Sequence, residues 1–405
     1  MRLEHPLPHR PHLAPRVLIA GGGVAGIETL LALRQLAEER LALELLAPEP
    51  AFVYRPLAVA EAFGLGVEHR FELSRIAADQ GAGLYEEALA AVDPSRHVVR
   101  TSSGAEISYD VLVVARGAQP RDAVHGAITF AGSRDAGDVR AAVDDAAYGR
   151  IGRLVFAVPG GVSWSLPLYE LALMAAARLR SAGSKAQLTL VTAEDAPLDV
   201  FGPRASEAAG RLLDDAGIEV IAGEYPASFE DGELRLVPDR TLRADRVIAL
   251  PWHEGPRIPG LPHDVHGFIR VDQFGAVAGV ADVYAAGDVA NFPIKQGGLA
   301  TQQADAVAES ISARAGADIT PRPFRPVLRG LLLTGGAPEY LRAEPTGGRG
   351  EARISEGALW WPPAKIAGHY LAPYLALRPG LEMTPPKGPA LEVELRLDHA
   401  AIHAA

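Results

Sequence analysis

The chain has 405 residues, 48% of them apolar, with 50 acidic and 39 basic side chains and no cysteine. That length exceeds what one core supports and predicts two or three domains, while the formal net charge of -11 opposes non-specific binding to nucleic acid or to an anionic membrane surface. The absence of cysteine removes disulfide exchange, thiolate nucleophiles, persulfide intermediates and cysteine-ligated metals together, so redox chemistry has to sit on a cofactor.

Residues 1–15 form a proline-rich leader carrying His5, His9 and His12. Three histidines without fixed geometry make a poor metal site, so a disordered tail is expected and no metal is assigned. No apolar run reaches the roughly 18 to 20 residues that span a bilayer, and the N-terminus lacks a signal peptide's apolar stretch. The expectation is a cytoplasmic protein without a transmembrane segment.

The stretch that follows is the most informative. Val17 to Ala20 reads as a buried strand, Gly21-Gly22-Gly23-Val24-Ala25-Gly26 as a Gly-x-Gly-x-x-Gly turn, and Ile27 to Leu36 as the helix that the turn opens. Gly21 permits the tight turn, Gly23 lets backbone approach a pyrophosphate, and Gly26 lets the helix pack closely on its strand. Unpaired amides and the partial positive charge of the helix N-terminus then favour an anion by about 0.3 to 1 kcal/mol beyond its hydrogen bonds. A dinucleotide is expected here.

The next strand, Leu41 to Leu46, should end at the carboxylate that accepts the ribose hydroxyls. Glu49 is the available acid, slightly beyond the usual position, which Ala47 holds; a ribose contact and an exposed loop glutamate are equally open. Arg55 either reaches a phosphate or flavin edge or faces solvent. Residues 108–120 form an apolar strand closing at Gly117, and residues 280–289 form a second buried strand ending at Gly287 and Asp288.

Between them the pattern repeats in weaker form. Leu154 to Val158 reads as a strand, residues 159–165 as a glycine-containing turn, Pro167 to Arg180 as a helix, and Gln187 to Val191 as a strand followed by Glu194. Pro159 and Trp164 replace the first and third glycines, leaving only Gly161 in register, so this module should keep its fold while losing or altering nicotinamide nucleotide binding. After Pro326, β-like runs at Val327 to Thr334 and Leu391 to Leu397 suggest a smaller C-terminal region.

Taken in this order, the elements resemble the two-dinucleotide-domain flavoproteins, in the branch of type II NADH dehydrogenases and sulfide:quinone reductases. The likeness covers about residues 16 to 315 and rests on Gly21 to Gly26, residues 109–117, Tyr284-Ala-Ala-Gly-Asp288, and Lys295 with Gln302-Gln303. It implies an α/β fold of two Rossmann-like doubly wound domains with a smaller C-terminal α+β region. The expected division is 16–122 with 245–320 for the FAD-binding domain, 123–244 for the NAD(P)-binding-like domain, and 321–405 for the remainder. The resemblance also implies FAD, with its adenosine diphosphate on the first glycine turn, Asp288 on the ribityl chain, and the ring near Lys295, Gln296 and Gly297.

A cation beside the ring has its own justification, because a two-electron reduced flavin carries negative charge near N1 and the C2 carbonyl. Lys295 and the first turn of a helix from about Leu299 would supply it, and Lys295 and Gln296 are the expected catalytic pair. Three departures matter. Arg116 replaces the usual threonine, open between contact with the cofactor and exposure to solvent, and the missing cysteines exclude sulfide oxidation through a cysteine pair. Gly297 and Gly298 stand where type II NADH dehydrogenases carry an Ala-Gln pair.

The aromatic and proline cluster of residues 359–375 reads either as an apolar lip for a quinone, membrane surface or second subunit, or as packed core. His253, His263, His266 and His369 receive no role. The expectation is an FAD-dependent oxidoreductase that passes electrons from a reduced donor, NAD(P)H in one version, to a quinone or another small acceptor. Peripheral membrane contact and a homodimer are compatible with it; a flavin-binding scaffold or redox sensor is the alternative.

Overall fold

The computed structural model describes residues 14–162, 164–335, 339–346, 349–355, 365–378 and 390–392. The leader with its histidines, the Trp360-Trp361 part of the aromatic cluster and most of the expected last strand lie outside them.

The first module is a five-stranded parallel sheet in the order Val283–Ala285, Val111–Val114, Arg16–Ala20, Ala42–Leu46 and Gly83–Tyr85. Val17 lies opposite Leu43 on one side and Val111 on the other. All four residues of Val111–Val114 are buried, the unbroken apolar run of a parallel strand covered on both faces. One face is covered by the helices Val24–Ala37 and Gly297–Arg314, which pack along each other, and the other by the antiparallel strands Leu89–Asp93, Val98–Thr101 and Glu106–Ser108. Strand order reverses between Arg16–Ala20 and Val111–Val114, so a crevice opens at the carboxyl ends of these two neighbours, where open α/β sheets bind ligands.

The second module repeats the plan with a parallel sheet ordered Ile128–Thr129, Arg246–Ala249, Arg153–Val158, Gln187–Thr192 and Ile218–Ala222. The strand Arg246–Ala249, expected in the first domain, pairs with Arg153–Val158 instead. Its buried Val247, Ile248 and Ala249 complete the second core, and the chain crosses back only afterwards, through the antiparallel pair Gln119–Arg121 and Trp252–Glu254.

The C-terminal sheet contains Arg329–Leu332, Glu339–Thr346, Arg349–Ser355 and Ala390–Glu392. Residues 365–378 leave it and run as a strap over the first module, ending in the helix Leu371–Ala376. Ile366, Leu371 and Leu375 enter the first module's core, each burial contributing on the order of 1.5 to 3 kcal/mol, so the region beyond 321 is not a detached unit. No described helix is long and apolar enough to cross a membrane.

Candidate functional site

The glycine turn has the shape its spacing predicted. Gly21 adopts φ +135°, and a Cβ there would stand 2.2 Å from the carbonyl oxygen of Ala115 on the neighbouring strand. A Cβ on Gly26 would stand 1.8 Å from the oxygen of Gly21, so the helix can pack this close only with glycine at that position. Gly23, in contrast, has nothing within 4 Å of a built Cβ: its backbone faces open space at the helix N-terminus. No side chain caps that terminus, which leaves the amides of the first turn unpaired toward the crevice.

That crevice is the end of a single cavity of about 1180 Å³, larger than the roughly 300 to 1,000 Å³ of ordinary small-molecule clefts. Gly21 to Ala25, Glu49, Arg55, Arg116, Gly117, Gly287, Asp288, Lys295, Gln296 and Gly297 all line it, so the fold gathers nearly every expected site residue in one place. Glu49 is exposed at the rim, and Arg55 and Arg116 are exposed cations on the wall. Gly117 takes a left-handed φ of +74°, turning the chain sharply after its strand. Gly287, at φ +80°, would bring a Cβ to 2.9 Å from that of Ala25, so its glycine lets the Asp288 loop close onto the phosphate helix.

Burial pushes the Asp288 carboxyl upward against the opposing attraction of Lys295, His253 and Arg55. The same burial pulls Lys295 down to about 8 against Asp288 and Asp264. Lys295 is no solvated loop lysine: its Nζ donates to the carbonyl of Ala290 at 2.6 Å and stands 3.7 Å from the centre of the Phe268 ring. His253, which received no role from the sequence, lines the cavity near both and is pulled down by burial.

Gln296 departs from the catalytic expectation. Its Oε1 accepts from the amide of Leu299 at 2.8 Å and its Nε2 donates to the carbonyl of Arg329 at 3.2 Å, so the side chain N-caps the helix Gly297–Arg314 and ties it to the C-terminal sheet. That helix starts two residues before Leu299, where it was expected. Gln303 is buried and accepts from the amide of Gly287 at 2.7 Å. Gln302 bonds both amide and carbonyl of Val327, so neither glutamine is mere helix surface.

The sequence reading missed an ion pair on the cavity wall. Lys365 Nζ donates to both oxygens of the fully buried Glu170, at 2.6 and 2.8 Å, and the amide of Leu333 donates to the same carboxylate at 2.9 Å. Burial pushes Glu170 upward while Lys365 opposes it. The available signal was a lone acid on the apolar face of Leu166–Ala182. Its partner lies 195 residues away, beyond any periodicity. The neighbouring Ile366 donates its amide to Tyr54 Oη at 3.2 Å and would stand 2.8 Å from a Cβ on Gly297.

In the second module Glu194, the acid that follows its second strand, is already hydrogen-bonded. Glu194 accepts from Ser165 Oγ at 3.0 Å, Tyr169 Oη at 2.7 Å and Thr192 Oγ1 at 2.9 Å, all hydroxyls of its own module. Trp164 packs edge-on to Phe201 with ring centres 5.6 Å apart, and a Cβ on Gly160 would meet the Tyr225 ring at 2.9 Å.

Comparison with known proteins bears on this geometry. Residues 15–306 match the pyridine nucleotide-disulphide oxidoreductase family. The sulfide-quinone reductase of Aquifex aeolicus is 27% identical over 272 residues, 61% of this chain and 60% of that protein. The probable ferredoxin reductase CtmF of Castellaniella defragrans is 28% identical over 250 residues, 58% of this chain and 57% of its own. The matches thus span somewhat over half the length of these relatives. The crystal structure of the Aquifex aeolicus sulfide:quinone oxidoreductase superposes with a TM-score of 0.77 at 22% identity, covering 84% of this chain and 87% of that one. The ferredoxin reductase for the CYP199A2 system of Rhodopseudomonas palustris superposes with 0.62 at 22% identity, covering 82% and 85%. With a family match over most of its length, two doubly wound modules and the glycine crevice between strands, the chain belongs to the pyridine nucleotide-disulphide oxidoreductases, a family of flavin-dependent oxidoreductases.

Proposed function

We propose that this chain is an FAD-dependent oxidoreductase that exchanges an electron pair with a small acceptor of the quinone class at the Glu170–Lys365 end of the cavity. One observation carries the reading: a continuous cavity joins the diphosphate-shaped turn, the buried Asp288, the Lys295 cation and the Glu170–Lys365 pair. FAD fits these residues. Gly23 and the free first-turn amides would hold its diphosphate, Asp288 would accept from its hydroxyls, and Lys295 would set a positive charge beside its ring. When bound, FAD supplies the two-electron chemistry that a chain without thiols or a described metal cluster does not.

The protein's own part is placement and charge. Ile366 and Gly297 form an apolar wall against which a flat ring system can lie, excluding water. A quinone that gains two electrons carries growing negative charge on its oxygens, and the Lys365 ammonium, held by Glu170 on the wall, sets a positive charge at that end of the cavity. With Glu194 bound to three hydroxyls of its own module, the acid that follows its second strand is not free to take the adenosine ribose of NAD(P)H, so a donor other than a nicotinamide nucleotide is the favoured version. Anaerobic mixing tests both sides: FAD-loaded protein should be reduced slowly or not at all by NADH and NADPH, while quinol should bleach its absorbance rapidly. Fast bleaching by NADH would return the nicotinamide version. Failure of every donor would favour the flavin-binding scaffold, which the self-satisfied Glu194 also suits.

A further inference from the structure

One cation on the cavity wall stands outside the flavin chemistry. Arg329 opens the strand Arg329–Leu332, is half-buried and lines the cavity. Its carbonyl accepts from Gln296 Nε2 at 3.2 Å, which fixes its backbone beside the start of the helix Gly297–Arg314. The next residue, Gly330, lies against the second module: a Cβ there would stand 2.9 Å from the Phe201 ring and 3.5 Å from the Leu166 side chain. Leu166 begins the helix that carries Glu170 one turn later. Arg329 is therefore held between the helix start expected beside the ring and the Glu170–Lys365 pair.

Among the described residues the Arg329 side chain has no hydrogen bond and no ion pair. The described acids that line the cavity are engaged elsewhere. Glu170 accepts from Lys365 and from the Leu333 amide, and Asp264 accepts from the amides of His266 and Phe268. Asp288 faces Lys295, His253 and Arg55, and Glu49 is exposed at the rim. Trp164, Leu166, Leu331 and Ile366 make much of the remaining wall apolar. A guanidinium set in such a wall gives up water without gaining a protein acceptor, so an anionic group on a ligand gains a charge-assisted bond there. Its planar fork matches the two oxygens of a carboxylate.

We infer that Arg329 binds the anionic group of the small molecule at this end of the cavity, and that the class taken is a flat, largely apolar ring compound bearing a carboxylate. Lys365 already has its carboxylate in Glu170, so Arg329 is the cation with capacity for another. The apolar side chains receive the ring, and Arg329 selects its charge. That the ring compound exchanges electrons rests on the flavin reading; that it is anionic rests on Arg329.

The probes are naphthoate and naphthamide, flat rings of nearly one shape that differ in charge, in equilibrium dialysis with FAD-loaded full-length protein. The wild type should bind naphthoate at least about tenfold more tightly than naphthamide. In Arg329→Gln the two affinities should become equal, whereas Arg325→Gln, at an exposed arginine that does not line the cavity, should keep the wild-type preference. Arg329→Lys retains the charge but loses the fork and should lower the preference at least about threefold, which carries the test if the glutamine variant does not fold. Equal affinities in the wild type, or a full preference in folded Arg329→Gln, overturn the proposal. Flavin content and quinol bleaching of the same samples separate it from the flavin reading. Protein that takes up no FAD yet prefers naphthoate through Arg329 would sink the flavin reading and keep the anion site; flavin bleached by quinol beside equal affinities would do the reverse.

Discussion

The two modules share a plan and differ in what their turns leave free. In the first, Gly21 and Gly26 are packed against backbone and Gly23 opens onto the cavity, so the amides at the helix start face space. In the second, Gly161, at a left-handed φ of +79°, also opens onto the cavity, but Gly160 lies under the Tyr225 ring, and Ser165, Tyr169 and Thr192 spend their hydroxyls on Glu194. Both modules fold because strand burial, not the turn, supplies most of the stability. A glycine fingerprint therefore reports a ligand only where its neighbours leave polar groups unspent.

The sharpest way to break the comparison is to fill both turns. Gly26→Val should lower FAD retention at least about a hundredfold, because its side chain has no room against Gly21. Gly161→Ala should leave FAD content unchanged and cost about 1 to 2 kcal/mol in thermal unfolding for its left-handed backbone. Equal flavin loss in the two variants would erase the distinction.

Removing Glu170 should be the next largest effect. Glu170→Ala strands the buried Lys365 ammonium, and unfolding measured by calorimetry should show a loss of about 3 to 5 kcal/mol. Adding Lys365→Met to that variant should recover much of it; additive losses would contradict the pairing.

Within the second module, Tyr169→Phe deletes one of three donors to Glu194 and should destabilise by about 1 to 3 kcal/mol without altering FAD content. If that variant instead gained tight NADH binding together with full stability, the hydroxyls would be guarding a working nucleotide site.

The smallest effect is at Lys295. Lys295→Met should make bound flavin harder to reduce, lowering the midpoint by about 30 to 60 mV. The sign with pH follows from the amine's depressed value: it is charged below about 8 and neutral above, so the wild-type midpoint should converge on that of the variant as pH rises through about 8. A difference constant from pH 6 to 10, or none, would remove Lys295 from the ring.

Much of the first module was legible because its signals are local. The Gly21 to Gly26 spacing, the strands around it and Asp288 each lie in one short window. Less legible were features made by distant chain. Gln296 reads as a polar residue beside a lysine, yet its side chain is spent capping a helix against Arg329. Glu170 meets Lys365, and Glu28 meets the amides of Tyr370 and Leu371, across separations that no periodicity encodes. The strand Arg246–Ala249 joins the second sheet, a choice set by its pairing with Arg153–Val158 and not readable from its short apolar run.

The asymmetry of the modules is tested most directly by counting nucleotides. Protein dialysed to equilibrium with FAD and NADH together, then denatured and its released nucleotides separated, should yield FAD equal to the chain and no nicotinamide nucleotide. Release of both nucleotides in equal amount, or of neither, would contradict it.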